Sequence, residues 1–144
     1  MDKLIKLMRI AFASEYSFYL KAHNFHWNVE GPLFQQFHEL FGNIYQEVYG
    51  SIDPFAENIR KLDAYTPASF ERLNLLSKVD DENGVPTSEQ MVQILLEDSD
   101  KMAVILKAVF DVSEAEGEHG LSDFIAGRQD AHRKHSWMLR ATLK

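Results

Sequence analysis

Two histidines, His26 and His38, lie twelve residues apart, and two carboxylates, Asp53 and Glu57, follow in the same stretch, four residues apart. Neutral imidazole and carboxylate together make a nitrogen-and-oxygen donor set suited to ferrous iron, and the same set also accepts zinc or manganese. The spacing divides the four residues into two pairs. The Gly31-Pro32 break separates two helical patterns, so His26 falls near the end of one helix and His38 about the second turn of the next. A tight reversal there brings the two imidazoles together. Asp53 and Glu57, at i and i+4, share one helical face with Cβ atoms about 5–6 Å apart. If the second helix runs from Leu33 to Leu62, His38 and Asp53 are separated by about 22 Å at roughly 1.5 Å per residue. No ligand shell spans that distance, so one chain alone does not close the site. An antiparallel second copy, related by a two-fold axis crossing near the middle of that helix, would set its own Asp53 and Glu57 beside the first copy's His26 and His38.

The elements that must hold these residues are helical. Leu4, Met8, Ala11, Phe12, Tyr19 and Leu20 recur at close to i, i+3/i+4 through residues 2–28, with no internal Gly or Pro, and predict the first helix. Phe34, Phe37, Phe41, Ile44 and Val48 continue the rhythm in a second helix with a broad aromatic side. Pro54 and Gly50 interrupt it. Inside a helix they cost about 3 and 1 kcal/mol, and on local rules alone the helix stops near Tyr49, with Asp53 as N-cap and Pro54 as N1 of a new short helix. Residues 63–83 predict a connector with one small helix around Phe70, Leu73, Leu75 and Leu76. Thr87 and Gln90, in capping-box positions, open a third long helix with its stripe at Met91, Ile94, Leu95, Met102, Ile105, Leu106 and Val109. Gly117 and Gly120 close it, and Leu121 to Leu143 form the last.

Composition narrows the classes of function. The 144 residues predict one domain, 1–144, with ordinary shares of hydrophobic (45%) and charged (26%) residues for a globular chain. With no cysteine, any metal is held by nitrogen and oxygen. No apolar run approaches 18 residues and no charged-then-apolar leader is present, so a cytoplasmic protein without a membrane span is expected. A net charge of −7 opposes nonspecific phosphate binding and favours attraction of cations.

The run HWNVEGPLFQQFHELF, the acidic pair in DPFAENI and the ending HSWMLRATL resemble the Dps family of miniferritins over nearly the whole chain. The resemblance implies an all-α, ferritin-like four-helix bundle with a long crossover, containing a short helix, between helices two and three. It also implies a second helix that is kinked at Pro54 but continuous. It implies further a hollow dodecameric homo-oligomer with ferroxidase sites at two-fold interfaces, built from His26, His38, Asp53 and Glu57. There Fe(II), the metal handled, is oxidised with hydrogen peroxide and stored as ferric mineral, which protects against oxidative damage. The histidines supply neutral nitrogens, Asp53 bridges or binds one iron, and Glu57 completes the shell. The alternatives are a DNA-compacting protein or a metal-sequestering cage with impaired ferroxidase activity. DNA-binding relatives generally use a Lys/Arg-rich tail, and none stands before Leu4 or after Leu143, so DNA binding is not expected.

One position departs from the family pattern. Four residues after His38, where many members carry an acid facing the site, this chain has Gly42. A second iron site that is weak or water-filled follows, which an acid restored at 42 should strengthen; Glu39 and Glu47, the nearest carboxylates, are not at i+4 from His38. Other residues rank lower. Glu116 and His119 form an ExxH interrupted by Gly117, with no second copy. His23, His132 and His135 are expected in surface or packing roles, and Trp27 as a buried aromatic of the bundle. Glu118, Asp123 and Asp130 could line an entry pore for cations.

Overall fold

The computed structural model describes residues 1–144 and contains only helices. In chain order these are α1 (Asp2–Asn28), α2 (Phe34–Lys61), α3 (Phe70–Leu76), α4 (Ser88–Ala115) and α5 (His119–Thr142). The four long helices form the bundle, and the short α3 rides on the crossover between α2 and α4, as expected. α1 pairs with α2 and α4 with α5, while α1 also packs on α4 and carries α3. The apolar stripe of α1, with Leu4, Met8, Ala11, Phe18, Ala22 and Phe25 fully buried, meets Phe41, Ile44, Val48, Phe55 and Ile59 of α2. No helix is long and apolar enough to cross a membrane.

α2 runs unbroken through Pro54, contrary to the local reading that stops it near Tyr49. Asp53 is therefore an interior helical residue and caps nothing. Packing decides the matter: Phe55 and Ile59, both fully buried, lie just beyond the proline, and Phe55 meets the rings of Phe12 and Phe124 at 6.0 and 5.4 Å. Burying two such side chains gains about 3–6 kcal/mol, enough to offset the roughly 3 kcal/mol lost at the proline. Continuity of α2 keeps Asp53 and Glu57 on the same rod as His38.

α4 opens on the predicted capping box, Thr87 accepting from the Gln90 N–H at 3.2 Å while the Gln90 side chain accepts from the Thr87 N–H at 2.9 Å. It ends in a Schellman turn at Gly117, where the Glu118 N–H reaches back to the Ser113 carbonyl. α5 then starts at His119, two residues earlier than the glycines suggest, so Gly120 lies in its first turn. The crossover is fastened to the bundle by polar contacts: Arg9 Nε donates to the Tyr65 carbonyl, Thr66 Oγ1 to the Ala56 carbonyl, and the Lys78 N–H to Ser14 Oγ.

Candidate metal centre

The turn between α1 and α2 assembles the histidine pair. Gly31 takes φ +124°, a conformation that L side chains rarely adopt, and the reversal built on it returns α2 alongside α1. The His26 and His38 rings then stack 3.8 Å apart at 16°. Their hydrogen bonds are reciprocal. His26 Nδ1 donates to the His38 carbonyl at 2.7 Å, and His38 Nδ1 donates to the His26 carbonyl at 2.6 Å. A carbonyl oxygen only accepts, so each Nδ1 must carry its hydrogen. In the neutral rings both Nε2 atoms are left with free lone pairs, the state a metal ligand requires, with orientation fixed by the partner on the other nitrogen. Phe34 covers His38 at 5.0 Å and Tyr45 flanks His26 at 5.1 Å.

Asp53 and Glu57 lie farther along α2, both exposed, and neither joins an ion pair in its own chain. No three His, Asp or Glu side chains of one chain converge on a point where they could hold a metal. The four residues therefore remain two separate pairs, the imidazoles together and the carboxylates apart. Gly42 stands directly beneath the imidazole pair: a Cβ built there would lie 2.9 Å from His26 Nδ1.

The lower-ranked residues are placed differently. Glu116 takes the N-terminal amine at 2.9 Å, and His119 faces Glu114 at 3.3 Å, so the ExxH pair does not act together. Asp123 and Asp130 are exposed, and Glu118 is the half-buried residue before α5. Trp27, expected in the core, is 59% exposed. Its ring lies on His23 at 3.6 Å, and His23 stacks in turn on Tyr45 at 3.8 Å and 10°, an aromatic shelf beside the histidine pair. Burial and the neighbouring His26 hold the His23 imidazole below its ordinary value.

A second polar cluster, in the middle of the bundle, escaped sequence reasoning. Glu15 of α1 is fully buried, with His132 Nε2 at 2.5 Å and Arg128 Nε at 3.5 Å. Arg128 also grips Glu47 of α2 through two nitrogens, at 2.5 and 3.2 Å, and His135 Nε2 reaches Glu47 at 2.8 Å. Burial alone would raise both carboxyl groups. His132 and Arg128 instead hold Glu15 below its ordinary range, and hydrogen bonds from His135 and Arg128 bring Glu47 down to about 2. Glu47 is thus fully engaged and is no substitute ligand at position 42. One signal for this cluster was present: Glu15 occupies a stripe position of α1, between Ala11 and Phe18, where an apolar residue is the rule.

A ferritin-like domain matches residues 5–144 of the chain. DNA protection during starvation protein 2 of Bacillus anthracis is 34% identical over 125 residues, which is 87% of this chain and 86% of that protein. A crystallised Dps protein from Bacillus brevis superposes with a TM-score of 0.95 at 29% identity, covering 99% of this chain and 96% of that one. The Dps protein of Vibrio cholerae O1, described as a member of a broad superfamily of ferritin-like diiron-carboxylate proteins, shares the fold with a TM-score of 0.95 at 24% identity, over 99% of this chain and 90% of its own.

Proposed function

Since the chain belongs to the ferritin-like family, and within it to the Dps proteins, we propose that it oxidises ferrous iron and stores the ferric product. On this reading His26 and His38 of one subunit and Asp53 and Glu57 of a two-fold partner form each site, in a cytoplasmic dodecamer. The observation that carries the proposal is the reciprocal pinning of the two imidazoles, which leaves both Nε2 atoms free on adjacent rings. The exposed and unpaired Asp53 and Glu57 are suited to serve a neighbouring chain.

Each residue type has a task. The imidazoles hold Fe(II), the substrate, as neutral donors, and the carboxylates bring negative charge that favours the more highly charged ferric product. Two ferrous ions give up one electron each, hydrogen peroxide takes both, its O–O bond breaks, and the oxygens leave as hydroxide. No hydroxyl radical is released in that balance. Net charge −7 favours the approach of Fe(II).

Stopped-flow mixing of ferrous iron with peroxide tests the assignment. His38→Ala and Glu57→Ala should each assemble normally and lose ferric absorbance growth to near the protein-free rate; unchanged rates would remove them as ligands. Solution mass should correspond to a large shell. A stable monomer with full activity contradicts a site shared between chains.

A further inference from the structure

A two-fold contact across α2 uses the same patch of both copies, so it consumes that surface and by itself stops at two chains. A shell that holds mineral needs a further contact, made by a different surface and joined head to tail so that a ring closes. The α4–α5 pair carries a surface of that kind. Its large exposed apolar side chains are Val104, Trp137 and, at the end of α5, Leu143. Trp137, 59% exposed, lines a groove of about 460 Å³ between the two helices, together with Ala103, Arg133 and Arg140. Neither guanidinium has an acidic partner in its own chain. Asp100, the carboxylate in the groove, accepts instead from the Ser136 hydroxyl at 2.7 Å. Tryptophan and arginine are the side chains most enriched among the anchors of protein contacts, because each buries a large flat surface and keeps a donor for the partner.

The rest of the outer face of α5 supplies the complementary charge. Asp123, Asp130 and Trp137 follow at seven-residue intervals, just short of two helical turns, so they fall on one ridge. Both acids are exposed and join no ion pair. The ridge is therefore negative toward its start and cationic and aromatic toward its end, which suits a second copy laid head to tail along it. A net charge of −7 turns the same patch away from nucleic-acid phosphate. We propose that the Arg133–Trp137–Arg140 face of α5 is a second contact between copies of this chain, with the two arginines turned to the acidic half of the neighbour's α5. This contact assembles two-fold dimers into the shell. The inference rests on the reading that a closed shell of such dimers stores the iron.

Sedimentation of the full chain, paired with anaerobic titration by Co(II) alone, tests the contact. Trp137→Ala should keep the parent's helix content while its mass falls about sixfold, from twelve chains to two, the size at which an isologous contact stops. The double variant Arg133→Glu/Arg140→Glu, at two exposed positions, should do the same by reversing the charge. Both sets of dimers should still bind Co(II), because the two-fold pair is intact, and lose it when His38→Ala is added. The chain has two tryptophans, so Trp27→Phe leaves Trp137 as the one indole. Its fluorescence should resist acrylamide in the shell and become quenchable in the dimers. Parent mass in both variants, or free quenching of Trp137 in the intact shell, overturns the inference and spares the metal reading. Variants that fall to monomers and lose Co(II) also overturn it, since the patch would then hold the two-fold contact itself. A parent chain that sediments as a Co(II)-binding dimer removes the shell from the proposed function, and the second contact with it.

Discussion

The chain contains two histidine clusters made from the same side-chain types, and they differ in which ring nitrogen is occupied. At the α1–α2 turn the Nδ1 atoms of His26 and His38 go to backbone carbonyls, and the Nε2 atoms are free. At the bundle centre the Nε2 atoms of His132 and His135 are taken by Glu15 and Glu47, and Arg128 sits between the two carboxylates. The first cluster is open toward a ligand. The second carries its own cation and is closed. Residue type alone does not make a metal site; the hydrogen bond on the other nitrogen and the local balance of charge decide it.

The largest effect should come from opening the closed cluster. Arg128→Met leaves Glu15 fully buried beside only His132, and removing one partner of a buried ion pair costs about 3–5 kcal/mol. Most of that belongs to the Glu15 side, because the Glu47 side chain is 39% exposed and solvent screens it. The loss is read from the urea midpoint at fixed protein concentration. Stability within 1 kcal/mol of the parent would mean that the guanidinium is not the countercharge that holds Glu15 in the fold. The mirror experiment is His38→Ala, which should lower Co(II) affinity by on the order of 100-fold or more while leaving the urea midpoint nearly where it was. A matching loss of stability in His38→Ala would erase the distinction between the clusters.

How far local sequence rules reach is clear from the same two places. The turn at Gly31-Pro32, the twelve-residue spacing of the histidines and the i, i+4 acids all act over short separations, and the pairing of His26 with His38 followed from them. So did the capping box at Thr87 and Gln90. Pro54 shows the limit: local cost argued for a break, and burial of Phe55 and Ile59 against distant residues overrode it. The bundle-centre cluster was out of reach because its bonds join Glu15 to His132 and Glu47 to Arg128 across 117 and 81 positions. Which helical faces meet at such separations is a property of the packed bundle. Trp27 was misplaced for a related reason: it reads as a bundle aromatic, but it lies two residues beyond the buried Phe25, and two residues along a helix turn the side chain about 200°, to the opposite side and the surface.

The smallest effect is a pH dependence centred on the closed cluster. Burial, with a further push from His132, holds His135 below its ordinary 6.5 despite the bond to Glu47. The folded protein therefore keeps this imidazole neutral while the unfolded chain takes up a proton as pH falls through 6.5. The associated stability is complete above that value and declines below it. Glu47 works in the same direction at lower pH: its carboxyl titrates at about 2 in the fold against 4.5 ordinarily, so its contribution is whole above 4.5 and is lost on the way down to 2. The urea midpoint should thus fall in two steps on acidification at constant ionic strength. His135→Gln, which keeps a donor toward Glu47 but cannot titrate, should shrink the upper step to the part that His23, also held below its ordinary value, contributes, and retain the lower one. If the midpoint of His135→Gln drops between pH 7 and pH 5 as much as the parent's, the upper step belongs to another group, and His23 becomes the next to substitute.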